Sequence, residues 1–255
     1  MVENWSRLSE QLPAKDKSGR VFIAGDAAHS HPPYGGYGLN NGFEDAANLG
    51  WKLAATLDGW GKETLLRSYS EERRPVFNEI GADFIARAIA TEKEFLNRYD
   101  PVTDRTEFER AWKKLGAESA RRAETYEPHY EGSRVVFGPS DGVCGAHGVH
   151  MSKARAGHHL SPQLLSSGRN IFEELGPGFT LLAFDADESP ISGFADAAKS
   201  LRVPLKVIRD TRRDGRASYG SGFVLVRPDQ YVVWAGESVP GNPDTVIKKA
   251  VGGRR

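Results

Sequence analysis

The sequence is poor in cysteine, in net charge and in long apolar runs, and each shortage removes a class of function. A single cysteine, Cys144, closes no internal disulfide and supplies neither a CxxC redox pair nor a thiolate-rich zinc site. A reducing, cytoplasmic setting agrees with that. Lysine plus arginine and aspartate plus glutamate both number 34, so no net field draws the chain to nucleic acid or to an anionic membrane. No run approaches the roughly 20 apolar residues of a transmembrane helix. The N-terminal MVENWSRLSEQLPAKDKSGR lacks the apolar core of a signal peptide. What is present is ordinary globular composition: 39% apolar, 10% aromatic and 27% charged over 255 residues, enough for one large domain or two ordinary ones.

Residues 1–19 are polar and end in a turn-like linker, Lys15–Gly19. The run Val21–Ala24, between Gly19 and Gly25, predicts a buried strand. Two prolines and three glycines make Ala27–Gly38 an irregular loop. Then Leu39, Phe43, Ala46, Ala47, Gly50, Leu53, Ala54 and Leu57 recur as one face of an amphipathic helix. Asn40 or Asn41 is its expected cap, with Glu44 and Asp45 in the first turns. Residues 62–97 read as helical with Pro75 as a kink or start point, and Asp104 with Glu107 opens a third helix to about Glu124. Residues 126–168 predict an irregular connector with one or two short strands, such as Arg134–Phe137. Beyond it, Phe179–Phe184, Leu205–Ile208, Phe223–Val226 and Tyr231–Trp234 are strand-like, with a helix over Gly193–Leu201 and another from Pro243 to about Val251. Arg227–Gln230 is a type I turn sequence that would join the last two strands as a hairpin. The fold class is α/β, with expected divisions at 1–125, 126–168 and 169–255.

The chemistry concentrates in Gly19–Asn40. The expected strand delivers Asp26 at its carboxyl end, the edge where open α/β sheets bind ligands. A glycine-rich loop lets backbone approach a ligand closely. It feeds a helix N-terminus, whose free N–H groups favour an anion. The arrangement suits a ligand with hydroxyls on one side and an anionic ring on the other.

The stretch Gly19-Arg-Val-Phe-Ile-Ala-Gly-Asp26, Ala-Ala-His29, Pro32-Pro33, Gly35-Gly36-Tyr-Gly38-Leu39-Asn40 closely resembles the second flavin motif of the class A flavoprotein aromatic hydroxylases, the group of para-hydroxybenzoate hydroxylase and phenol hydroxylase. Asp45–Ala54 and Leu66–Pro75 continue the likeness. The resemblance implies FAD as cofactor, NADH or NADPH as reductant, and O2 and an aromatic small molecule as substrates, with hydroxylation through a C4a-hydroperoxyflavin. It implies that Asp26 bonds a flavin ribityl hydroxyl and that Pro33 lies near the reacting edge of the ring. Gly36 belongs to the same loop, and the N–H groups of Gly38, Leu39 and Asn40 would face flavin N1 and O2. Oriented N–H donors there would stabilise reduced flavin, which is anionic at N1. Leu175–Leu182 and Val224–Gly236 are similar to the thioredoxin-like third domain of the phenol-hydroxylase branch, where packing or homodimer contact is expected in place of thiol chemistry.

The family's GxGxxG segment and substrate sheet have no counterpart in these residues. The expectation is therefore a partial FAD-binding domain, either as a fragment or completed by an N-terminal half on another polypeptide. A metal hydrolase built on Asp26, His29, His31, His158 and His159 is a competing reading, but no HExxH spacing occurs and no metal site is expected. A non-catalytic thioredoxin-like interaction module on a helical stem is the other alternative. No residue is assigned as a catalytic acid or base.

Overall fold

A computed structural model describes residues 21–211, 219–239 and 241–253. The polar N-terminal stretch and its Lys15–Gly19 linker lie outside the described residues. The chain forms two compact units that interleave in sequence. One holds the residues up to Ala46 with Arg74–Glu127 and Gly145–Val149; the other holds Ala47–Arg73, Pro128–Cys144 and the residues from His150 on.

The first unit opens with a correction. Val21–Ala24 is extended but belongs to no described sheet, and Val21 is 67% exposed. A strand needs neighbours to take its N–H and C=O groups, and local sequence cannot supply them. The chain turns at once through a 3-10 turn, Gly25–Ala27, and enters helix α1, Tyr37–Leu57. Helix α2, Glu63–Glu79, runs through Pro75 and changes to π hydrogen bonding over Ile80–Ala86 before α3, Arg87–Arg98. Helix α4, Arg105–Glu124, starts where Asp104 Oδ1 accepts the Glu107 N–H at 2.9 Å, as the cap signal predicted. Phe95 of α3 packs on Phe108 and Trp112 of α4 at 5.2 and 5.3 Å between ring centroids.

Helix α1 has the two faces that its periodicity marked, and on the apolar one Leu39, Phe43, Ala46, Ala47, Gly50, Ala54 and Leu57 are exposed. Asn41, Asp45, Asn48 and Lys52 on its polar face are buried. Periodicity identified the helix and its two faces; what covers each face is decided elsewhere in the chain.

The connector carries β1, Tyr126–Tyr130, paired with β2, Cys144–His147. Arg134–Phe137 is a turn and not the expected strand: Val136 N–H bonds Ser133 O, although Val135 and Val136 are buried. A short helix α5, Ile171–Glu174, precedes β3, Phe179–Phe184. Then come α6, Glu188–Ser200; β4, Leu205–Asp210; β5, Phe223–Val226; β6, Val232–Gly236; and α7, Pro243–Ala250. The sheet order is β4-β3-β5-β6, with β3 parallel to β4 and antiparallel to β5, and the hairpin β5–β6 as expected. Its turn closes with Gln230 N–H on Arg227 O, and Gln230 takes a left-handed φ of 69°. Side chains alternate across β3. Phe179, Leu181 and Ala183 enter a core with Phe194, Ala197 and Ile247, while Leu182 and Phe184 enter a second with Leu160, Ile171 and Tyr219. Trp51 joins the first core edge-on to Phe179 at 5.7 Å.

Candidate flavin site

The loop after Ala24 is fixed from beneath by one carboxylate. Asp45 Oδ2 accepts the Gly25 N–H at 2.9 Å and meets His29 Nε2 at 2.7 Å, with Asp45 and His29 both buried. The His29 ring stacks on Phe77 at 4.2 Å, and His31 stacks on the same ring at 5.5 Å. Gly35 and Gly36 hold φ of +64° and +72°, a region glycine enters without strain. Tyr34 is tied down by donating to Glu92 Oε1 at 2.5 Å; that bond, with burial, pushes its hydroxyl up to about 12.

The residues singled out from the sequence lie along this loop and the helix start that follows it. Asp26 is exposed on the 3-10 turn, and Pro33, Gly36, Leu39 and Asn40 are exposed on the loop and the first turn of α1. Gly38 is half-buried, and a side chain there would meet the His31 ring at 3.4 Å. The helix begins earlier than expected, at Tyr37, so Asn40 and Asn41 do not cap it. Their amides donate to Gly36 O at 2.9 Å and Tyr37 O at 2.8 Å. Gly38 and Leu39 consequently lie in the first turn, where backbone N–H groups lack helical partners, and Asn40 follows them as the first residue whose N–H can reach back to Gly36 O. Nδ1 of His29 and Nε2 of His31 are buried and meet no hydrogen-bond partner among the described residues. An exposed acid, open amides and unsatisfied ring nitrogens fit a polar ligand with an anionic edge, as FAD has.

The sequence reading missed the role of the residues that follow. In the second unit Glu72 is fully buried and takes five hydrogen bonds. Asn48 and Lys52 donate to Oε2 at 2.7 Å each, Ser133 to Oε1 at 2.6 Å, and Arg227 to both oxygens at 2.9 and 3.0 Å. Arg227 also pairs with Asp229, and its guanidinium lies 5.3 Å from the Trp51 ring. Burial pulls Lys52 down to about 8 against the pull of Glu72. For Glu72 burial acts upward, but Arg227 and Lys52 outweigh it and hold the carboxyl well below its usual range. Asn48, Lys52 and Glu72 belong to the motif runs, yet here they tie α1 and α2 to the β5–β6 turn. A lysine about four turns into the helix, four residues after Asn48, was the available signal. No redox thiol appears: burial pushes Cys144 up to about 12, and the turn from β3 into α6 is Asp185-Ala186-Asp187.

The family comparisons point to a flavin-binding class of protein. Residues 3–82 match the FAD binding domain family, and residues 154–252 match the aromatic-ring hydroxylase, C-terminal family. In both regions the chain is therefore similar to FAD-dependent aromatic-ring hydroxylases, which are flavoprotein monooxygenases. It is 30% identical to FAD-dependent monooxygenase opdD of Penicillium oxalicum over 91% of its own length and 48% of that protein. Rifampicin monooxygenase of Streptomyces venezuelae is 34% identical, over 86% of this chain and 39% of that one. The rebeccamycin biosynthetic enzyme RebC with reduced flavin superposes with a TM-score of 0.75 at 31% identity, over 93% and 46% of the two chains. The chain thus spans less than half the length of the relatives it matches. No helix among the described residues is long and apolar enough to cross a membrane.

Proposed function

We propose that this chain forms the isoalloxazine-facing wall of an FAD-dependent monooxygenase that hydroxylates an aromatic small molecule with NADH or NADPH and O2. FAD, when bound, supplies the oxygen chemistry. The chain's residues orient it. Asp26 accepts from a ribityl hydroxyl, Pro33 and Gly36 set the loop against the ring, and the N–H groups of Gly38, Leu39 and Asn40 face N1 and O2. The observation that carries this reading is the exposed acid and open helix start held on the buried Asp45–His29 base.

A GxGxxG segment for the ADP half of FAD, which the matching relatives' greater length leaves room for, completes the site. The exposed apolar stripe of α1 and the exposed Val21 support this, because both suit packing against further protein. The α/β domain from Phe179 on is thioredoxin-like and serves packing or homodimer contact, and the protein works in the cytoplasm.

FAD titration followed by flavin fluorescence tests the proposal, first with the chain alone and then with a GxGxxG-containing half from a relative. Binding by the pair is expected. Asp26→Ala should weaken it by roughly 10–100-fold, as losing a hydrogen bond to a charged group costs about 1.5–3 kcal/mol. A pair that binds no FAD, or binds it equally with Asp26→Ala, sinks the assignment and favours a non-catalytic interaction module.

A further inference from the structure

Away from the flavin loop, the second unit gathers three residues with metal-binding side chains. His129 is the last but one residue of β1, Glu131 follows the strand in a turn, and His158 comes from the segment ahead of α5. His158 Nε2 lies 2.8 Å from Glu131 Oε1. The two imidazoles stack with centroids 5.1 Å apart and planes 13° from parallel. One ligand atom from each residue lies within 4.8 Å of the others. Both histidines are buried, at 7% and 4% exposure, while Glu131 is half-buried and leaves a way in.

The backbone holds this arrangement in place. His129 and His158 form an antiparallel bridge. Tyr130 N–H donates to Gly157 O at 2.6 Å, and His158 O accepts from Val232 N–H at 2.9 Å, so His158 is fastened between two strands. Gly157 has φ +92°, and any side chain there would sit 2.5 Å from the Glu131 nitrogen. Only glycine lets the two segments approach closely enough to bring the imidazoles and carboxylate together.

We propose that His129, Glu131 and His158 form a binding site for a borderline divalent transition cation, Zn2+ in particular. Two imidazoles and one carboxylate are ligands that zinc accepts in tetrahedral sites with an open fourth position. In such a site neighbouring ligand atoms lie about 3.3 Å apart, so the present separation closes by side-chain rotation on a fixed backbone. The cation replaces a proton: His158 and Glu131 exchange their hydrogen bond for two bonds to the metal, and water takes the fourth position. The bound ion clasps β1 to the 154–160 segment. Nothing in this depends on the flavin reading.

The test uses the full chain, stripped with chelator and titrated with Co2+ as the visible probe, then with Zn2+ in competition. Ligand-field bands saturating at one Co2+ per chain and displaced by Zn2+ are expected, with a rise in thermal midpoint. Glu131→Gln, which keeps size and hydrogen bonding, and His158→Gln should each weaken Co2+ binding beyond the roughly 10–100-fold typical of losing a mere supporting group. His150→Ala, an exposed histidine outside the cluster, should leave binding unchanged. Absence of bands on the folded chain overturns the proposal. So does undiminished binding by Glu131→Gln with an unaltered circular dichroism spectrum, or loss of binding in His150→Ala.

Discussion

Replacing Glu72 by glutamine would remove one charge from a buried set that balances. Lys52 and Arg227 face Glu72 and Asp229, and all four side chains are at most 2% exposed. Glutamine has nearly the same shape but offers one carbonyl oxygen to donors that now include Asn48, Lys52, Ser133 and Arg227. Its NH2 group would point a donor at donors, and a net positive charge would stay in the core. Breaking one side of a buried pair costs about 3–5 kcal/mol. For a chain of this size that lowers the melting temperature by roughly 6–20 °C. Differential scanning calorimetry and urea melts on wild type, Glu72→Gln, Lys52→Met and the double variant measure it. Glu72→Gln should be the worse single variant, and the double variant should recover about 1–3 kcal/mol relative to the sum, because it removes the stranded ammonium. High salt should change little, as the groups are buried. A Glu72→Gln loss under about 1 kcal/mol, or strict additivity with Lys52→Met, would refute the view that this set holds α1, α2 and the β5–β6 turn together.

Lys52 has its pKa lowered from 10.5 to about 8 in the folded chain, so between those values the unfolded chain binds more protons and stability should rise with pH; Lys52→Met should flatten that rise in urea melts across the window. Tyr34, raised from 10.0 to about 12, acts oppositely: its stabilisation is lost as pH climbs above 10, and Tyr34→Phe should abolish that fall. Asp45→Asn should cost about 1–3 kcal/mol by weakening the links to Gly25 and His29, and should weaken FAD binding by the reconstituted pair although Asp45 is buried beneath the loop. Gly157→Ala should cost roughly 2–4 kcal/mol from backbone strain and overlap with Glu131, visible as a lower melting temperature; an unchanged midpoint would show that the β1 contact is loose.

What the sequence revealed was mostly local. Asp104 could be read as a cap because its partner, Glu107, is three residues away. The strands of the last domain announced themselves by apolar runs and a turn sequence, and the α/β class follows from them. Elements that depend on distant residues were misread. Val21–Ala24 has strand composition but no described strand beside it. The periodicity of α1 marked two faces without saying which would be covered. Glu72 and Arg227 are 155 positions apart, and neither residue's surroundings announce the pairing. The flavin loop was legible as a motif, whereas its footing, Asp45 under Gly25 and His29, was not, since an acid in a first helical turn reads as a dipole partner.

The burial of α1 on its polar face means that selection reads its two sides in separate currencies. Substitutions at Asn48, Lys52 or Ala55 would be scored by whether the chain folds. Substitutions at Leu39, Phe43, Gly50, Ala54 or Leu57 would leave folding of this chain almost untouched and, under the proposed function, be scored by flavin loading. A scan of the helix that measures abundance and flavin loading in parallel should therefore sort residues by face, with charged residues along the exposed stripe improving solubility of the lone chain while abolishing loading of the assembled pair.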